Sequence, residues 1–172
     1  MGNIGTYGPV IMIAIAIWRL YYLPKYLLWF LVFLSINESL NLFAKQIIKQ
    51  PRPGQQMLKE SSTRPDYILP SFIEDLRSVV APNFSQFGSD SQNANYYGMP
   101  SGHAQHALFI MSFLWLVNPS WAVLCVCVVI TGIIFMERYD TKRHSIEQLL
   151  AGGMTGIVVA YVSVTIFRKY YE

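Results

Sequence analysis

Apolar residues along the chain fall into five runs, separated by short polar breaks and one long polar stretch. The runs cover about 8–23, 26–45, 102–117, 121–137 and 145–167. Each is close to the length that a helix needs to cross the hydrocarbon core of a bilayer. The first run has no small-residue cleavage site, so we expect a retained helix and no cleavable signal peptide. The pattern predicts an all-α membrane protein, with about five transmembrane helices in a single domain spanning residues 1–172.

The long polar stretch, residues 46–100, lies between the second and third runs. A connection of this length is unusual in a compact domain and often carries function. Within it, Pro70–Val80 has enough apolar residues for a short amphipathic helix on the membrane surface. Residues 83–95 are rich in Ser, Asn, Gln and Gly, which is typical of a loop.

Composition supports the membrane assignment, because 53% of the residues are hydrophobic and only 13% are charged. The net charge is +3, and Lys and Arg cluster near the ends of the runs, so we expect no nucleic-acid partner. Cys125 and Cys127 stand two residues apart in an apolar run and indicate neither a disulfide nor a metal pair.

The second run carries polar residues at helical spacing. Asn37, Asn41 and Lys45 recur every four residues and therefore form one stripe, with Glu38 beside it. An acid buried in a spanning helix is by default a candidate for a functional site. The alternative is a polar lock between two helices. In the fifth run, Gly152 and Gly156 have the spacing that allows two helices to approach closely.

The third run opens with Gly98-Met99-Pro100-Ser101-Gly102-His103. Pro100 cannot continue a helix from upstream, and Ser101 is a favoured N-cap. The N–H groups of Ser101 and Gly102 would then form a phosphate seat at the helix N-terminus, with the titratable ring of His103 on its rim. The alternative is a plain helix cap with a polar residue at the membrane surface.

Alternating helix directions bring one set of polar residues to the same side of the membrane. The set comprises Lys45, Arg52, Ser101, Gly102, His103, Arg138 and His144. Cations and a helix N-terminus can neutralise a phosphoryl group in transfer. One histidine can attack phosphorus and the other can protonate the leaving oxygen. These residues therefore predict phosphoryl transfer.

A zinc site is the alternative reading of the histidines, because His106 follows His103 by three residues. The neighbouring Lys and Arg residues would repel a cation. We therefore interpret His106 as a polar helix residue and expect neither a metal nor another cofactor.

Three motifs of this sequence resemble the signature of the type 2 phosphatidic acid phosphatases. They are Lys45-x6-Arg52-Pro53, Pro100-Ser101-Gly102-His103 and Arg138-x5-His144. The resemblance implies that His144 is the nucleophile that becomes phosphorylated and that His103 protonates the leaving group. It also implies that the Lys, Arg and Ser-Gly positions hold the phosphate and that no metal is needed.

Two positions depart from the family pattern. Glu137 stands where the family usually has Ser, and Gln148 stands where it usually has the Asp that orients the nucleophilic ring. Gln148 lies one helical turn beyond His144, and its carbonyl oxygen can accept the Nδ1 proton.

A narrower resemblance is to the dolichyl diphosphate phosphatases. It rests on Asn37-Glu38-x2-Asn41-x3-Lys45, Gln50-Pro51-Arg52-Pro53, Gly98-Met99-Pro100-Ser101 and His144-x3-Gln148. It implies removal of one phosphate from an isoprenoid lipid, a polyprenyl diphosphate of the dolichyl type, on the lumenal side of the endoplasmic reticulum. Cations at the opposite side, Arg19, Lys25, Arg168 and Lys169, mark that side as cytoplasmic. The alternatives are a broader phosphatase of phosphatidate or related phospholipids, and an inactive protein that binds lipid phosphates.

Overall fold

A computed structural model describes residues 4–54 and 97–171. These residues form five helices: α1 (Ile4–Leu20), α2 (Pro24–Ile48), α3 (Gly102–Val117), α4 (Trp121–Asp140) and α5 (Ile146–Tyr171). Within the two described ranges there is no β-strand, only an isolated bridge between Pro51 and Tyr97. The predicted all-α fold is confirmed. The expected surface helix at Pro70–Val80 and the loop at 83–95 lie outside the described residues.

Helix ends differ from the predicted runs by a few residues. The break between the runs 8–23 and 26–45 predicts a turn at Pro24-Lys25, but this prediction is wrong, because Pro24 begins α2. Proline suits the first helical position, where its missing N–H would have no helical partner in any case. The turn lies just before it, where the Leu23 N–H donates to the Leu20 carbonyl (2.8 Å). At its other end, α2 stops at Ile48, and the next residue, Lys49, takes a left-handed conformation with φ 51°.

Three of the described helices, α2, α4 and α5, are long and apolar enough to cross a membrane. Helices α1 and α3 are shorter but also apolar. Large apolar side chains point outward from several helices, among them Leu28, Val129 and Val158. An apolar exterior around helices whose backbone groups are paired internally is the arrangement that a bilayer requires. The chain is therefore an integral membrane protein.

Helix α3 lies at the centre of the bundle and packs most closely against α5. A Cβ atom at Gly152 would overlap the main chain of Ser101, and one at Gly156 would overlap the Gln105 carbonyl and lie 2.9 Å from the Phe109 nitrogen. The predicted close approach at these glycines is confirmed. It lets the backbone of α5 press against the start of α3.

Contacts at the far end of the bundle fix the helix directions. The Arg19 guanidinium donates to the Asn118 side-chain oxygen (3.1 Å), and that of Arg168 donates to the Leu116 carbonyl (2.7 Å). The last residues of α1, α3 and α5 therefore share one end. The end of α2, the start of α3 and the α4–α5 connection lie together at the other.

We expect Gly156→Val to destabilise the protein, because a side chain at this position must displace the backbone of α3. Overpacking of this kind typically costs about 1–3 kcal/mol. Gly132→Val in α4 is the matched control, since a Cβ atom there meets nothing within 4 Å. The apparent melting temperature in detergent should fall by several degrees for Gly156→Val only. Equal melting temperatures for the two variants would contradict the tight α3–α5 contact.

Candidate active site

The segment after α2 pairs with the segment before α3. The Gly98 N–H donates to the Gln50 carbonyl (2.8 Å), and Pro51 and Tyr97 form an antiparallel bridge. Arg52 is thereby brought beside the residues that open α3, although they lie far apart in the sequence. The first and second motifs are therefore joined through main-chain contacts.

The α4–α5 connection brings the third motif to the site. The N–H groups of Arg143 and His144 both donate to the Arg138 carbonyl (3.1 Å each), which folds the chain back over the end of α4. Lys142 makes this reversal possible with a left-handed φ of 55°. Its carbonyl accepts from the Gly54 N–H (2.9 Å), so the third motif is tied to the end of the first.

Ser101 precedes the first residue of α3, as an N-cap does, but not as we predicted in detail. Its side chain makes no capping hydrogen bond. Its N–H donates to the Gln148 carbonyl (3.0 Å), so this N–H is not available to a phosphate, contrary to expectation. The hydroxyl is fully buried and has no partner among the described residues. The Ser101 hydroxyl is therefore available to a ligand, and the Gly102 N–H is the remaining main-chain candidate for a donor.

His144 and Gln148 form the predicted pair. The His144 Nδ1 atom lies 3.2 Å from the Gln148 side-chain oxygen, and both side chains are buried. An amide oxygen only accepts hydrogen bonds, so the imidazole proton resides on Nδ1. The lone pair of the neutral ring is then on Nε2.

Positive charge surrounds the His144 ring. Burial is the main reason that the pKa of His144 is lowered from 6.5 to about 3, and the charges of Arg52, Lys45 and Arg138 add to the effect. The hydrogen bond to Gln148 opposes it. Burial, and then the charge of Arg143, also lower the pKa of Arg52. His144 is therefore neutral at physiological pH, and the predicted cations do converge on it.

His103 lies against Arg138. The Arg138 Nη2 donates to the His103 Nε2 (2.6 Å), and the ring also makes a hydrogen bond with the backbone of Thr6. Nε2 therefore acts as an acceptor in this arrangement. His103 can donate a proton from Nε2 only after Arg138 has turned away from it.

Three buried donors in this region lack partners among the described residues. They are the Ser101 hydroxyl and the Nε atoms of Arg52 and Arg138. A buried donor without an acceptor is costly, and a tetrahedral oxyanion offers several acceptor oxygens at once. The donor set therefore fits a phosphoryl group.

The polar stripe of α2 is a lock between α2 and α3. The Gln105 amide nitrogen donates to the backbone and side-chain oxygens of Asn37 (2.8 and 2.9 Å). The Asn41 amide donates to the Gln105 side-chain oxygen (2.7 Å) and to the Pro100 carbonyl (3.2 Å). All three side chains are buried. Gln105 was not among the predicted site residues, although a Gln four residues after Ser101 in an apolar run is a usable signal.

Glu38 is not the buried acid that we expected, because 51% of its side chain is exposed. It lies 3.1 Å from the His106 Nε2, and the His106 Nδ1 lies 2.7 Å from the Gly102 carbonyl. Each ring nitrogen of His106 therefore faces an acceptor. Neither nitrogen is directed at a metal ion shared with His103. Among the described residues, no three His, Cys, Asp or Glu side chains are grouped so that they could hold a metal ion.

Comparison with known families adds one decisive observation. Residues 26–172 match the model of the PAP2 superfamily. The chain belongs to the PAP2 superfamily. Membership indicates a phosphatase that acts on phosphorylated, lipid-like substrates. No curated protein and no solved structure matches the chain.

Glu137, one of the departures from the PAP2 pattern, binds α1. Its carboxylate accepts from the Thr6 hydroxyl (2.8 Å) and lies directly against Gly5. Helix α1 precedes the matched region, yet its first turn contacts both Glu137 and the ring of His103. Sequence reasoning did not place Thr6 at the site, because nothing in its local pattern distinguishes it.

The lowered pKa of His144 predicts a specific pH dependence of stability. The unfolded chain binds a proton at His144 near pH 6.5, whereas the folded protein resists protonation until about pH 3. The free energy of unfolding should therefore fall as pH decreases through this window, by at most about 1.4 kcal/mol per pH unit from this group. His144→Gln should show a flatter curve between pH 7.5 and 4.5 in detergent unfolding experiments. Parallel curves would mean that His144 titrates normally.

Proposed function

We propose that this PAP2 protein removes the terminal phosphate from a polyprenyl diphosphate of the dolichyl type, through a phosphohistidine intermediate on His144. The observation that carries the proposal is the state of the His144 ring. It is neutral, its proton is held on Nδ1 by Gln148, and the positive charges of Lys45, Arg52 and Arg138 surround it. These are the requirements of a nitrogen nucleophile that attacks an anionic phosphorus centre.

In the proposed reaction, the His144 Nε2 forms a bond to the terminal phosphorus as the bond to the bridging oxygen breaks. The guanidinium groups of Arg52 and Arg138, the Ser101 hydroxyl and the Gly102 N–H neutralise the charge on the transferring group. Lys45 contributes charge beside Arg52. Water then attacks the phosphohistidine: the P–N bond breaks, a proton of the water passes to the His103 Nε2, and inorganic phosphate leaves with His144 again a neutral imidazole.

His103 is the proposed acid for the leaving oxygen. Its Nε2 accepts from Arg138 in the structure described here, so binding of the substrate must first draw Arg138 toward the phosphate. This exchange frees Nε2 to take up a proton from solvent, which it then gives to the leaving oxygen. Arg138 would thus serve the phosphate and release His103 in the same step.

Metal independence is part of the proposal and is supported by the charge of the site. Lys45, Arg52 and Arg138 already supply the positive charge for which phosphoryl-transfer enzymes commonly use a divalent ion. The same cations would repel a bound metal.

The polyprenyl diphosphate assignment rests on the features in which this chain resembles the dolichyl diphosphate phosphatases. Two of them lie at the site: the Asn37–Asn41 stripe binds Pro100 and Gln105 around the start of α3, and Gln148 binds His144. The membrane setting also suits a substrate whose chain stays in the bilayer.

We further propose an endoplasmic reticulum location with the site on the lumenal side. Arg19 and Arg168 lie at the end of the bundle opposite the site, near the Asn118 turn, and Lys25 and Lys169 adjoin them in the sequence. Positive residues at helix ends favour the cytoplasmic side.

His144→Ala should abolish turnover, because the variant lacks the nucleophile. Brief incubation of the unmodified protein with substrate labelled in the terminal phosphate should leave an acid-labile label on His144. The variant should still bind inorganic phosphate through the remaining cations. His106→Gln is the matched control and should retain the label. Normal turnover by His144→Ala would rule out the covalent route.

A substrate panel assayed with a chelator present tests substrate and metal together. We expect polyprenyl diphosphates to be hydrolysed faster than phosphatidate, at a rate that the chelator leaves unchanged. Orthovanadate should inhibit as an anionic analogue of the transition state. Preference for phosphatidate would favour the broader lipid phosphatase, and no turnover of any lipid would favour a binding protein. Activity lost to the chelator and restored by zinc or magnesium would contradict metal independence.

A further inference from the structure

Gln148 contacts all three motif segments. Its side-chain oxygen lies against the His144 Nδ1, its side-chain nitrogen donates to the Pro51 carbonyl (3.1 Å), and its own carbonyl accepts from the Ser101 N–H (3.0 Å). Gly98 lies flat against the amide, since a Cβ there would be 2.8 Å from Cδ and 2.9 Å from Nε2. The side chain is 1% exposed. The amide is therefore packed against Gly98 on one face, and both its oxygen and its nitrogen are hydrogen-bonded.

The contact with Pro51 bears on Arg52. A peptide bond is planar, so the Pro51 carbonyl and the Arg52 nitrogen belong to one rigid unit. Fixing the carbonyl oxygen fixes the orientation of that unit and hence the position of the Arg52 Cα atom, from which the Arg52 side chain extends. Arg52 is partly buried, and its charge acts on His144.

An ionised carboxylate cannot replace this amide. It has acceptors only, so an oxygen in the place of the Gln148 nitrogen would face the Pro51 carbonyl without a proton between them. Aspartate is also one methylene shorter and cannot reach both partners. The side-chain N–H donor of Gln148 thus explains why a glutamine stands at this position. An acid would suffice if the residue only had to orient the histidine.

We propose that Gln148 is a positioning residue for Arg52, through the Pro51 carbonyl, in addition to its role at His144. This rests on the proposed function in so far as Arg52 holds the phosphate, and it does not depend on which lipid carries that phosphate. Gln148 thereby couples the nucleophile to the first motif.

Inorganic phosphate binding in a His144→Ala background isolates this second role, because orientation of the histidine no longer matters there. We expect Gln148→Met, which is similar in size and uncharged, to weaken phosphate binding to purified His144→Ala protein by about tenfold, a common cost of losing a positioning contact. In a His144→Ala/Arg52→Gln background, the same change should cost less than about twofold. Isothermal titration calorimetry in detergent measures both. Gln46→Met, on the exposed face of α2, is the control and should change neither value.

Equal phosphate affinities with and without Gln148→Met in the His144→Ala background would overturn the proposal. So would an equal loss with and without Arg52, since the change would then act through general packing. If the Met variant fails to fold, as judged by its melting curve, Gln148→Asn provides the same comparison. Asparagine keeps the amide but is too short to reach Pro51, and the same Arg52-dependent loss is expected.

The results that would contradict the proposed function differ from those that would contradict the role of Gln148. Phosphate bound by the unmodified protein, with no hydrolysis of any lipid in the panel, would remove the phosphatase proposal and leave the Gln148 inference standing. No phosphate binding by either the unmodified protein or His144→Ala would remove both.

Discussion

Three positive charges share one buried region, and their mutual repulsion is the constraint on which the arrangement of the site depends. Lys45, Arg52 and Arg138 all act on His144, in surroundings where water screens charges poorly. The nearby carboxylates offset only part of this charge, because Glu38 is half exposed and Glu137 is bound by α1. Neutral main-chain contacts must therefore hold the cations in place. An anionic ligand that pairs with all of them would stabilise the folded protein by mass action.

Those neutral contacts are few and specific, and they explain the small residues at the site. The loop before α3 can reach the Gln50 carbonyl and Gln148 only because Gly98 has no side chain. Helix α5 can bring Gln148 beneath Ser101 because Gly152 lets the two backbones approach. A side chain at either position would move the helix N-terminus away from the histidine. Close packing of backbones thus compensates for the lack of opposite charges.

The lengths of the apolar runs were enough to predict the helices, and the alternation of helix direction in a membrane was enough to predict the side on which the motifs meet. Hydrogen-bond partners were not predictable in the same way. The Ser101 N–H was expected to face a phosphate, yet it binds a carbonyl of α5, a contact that depends on tertiary packing. Glu38 lies in the predicted stripe, but a difference of one residue turns it from the buried face of Asn37 toward the surface. Thr6 reaches the site only through the way that α1 packs on α4.

The same packing bears on whether His144 is less reactive with an amide than with a carboxylate as its hydrogen-bond partner. A carboxylate at Gln148 would favour the imidazolium form and raise the pKa of His144. The neutral amide holds the ring by a hydrogen bond without adding that charge, and the pKa stays at about 3. In the proposed reaction the attacking ring must be neutral beforehand and becomes positive as the bond to phosphorus forms. The incoming phosphate itself carries the negative charge that this developing cation requires. In this reaction, Gln148 therefore stabilises the imidazolium less than a carboxylate would. It leaves the ring neutral, which is the form that attacks phosphorus.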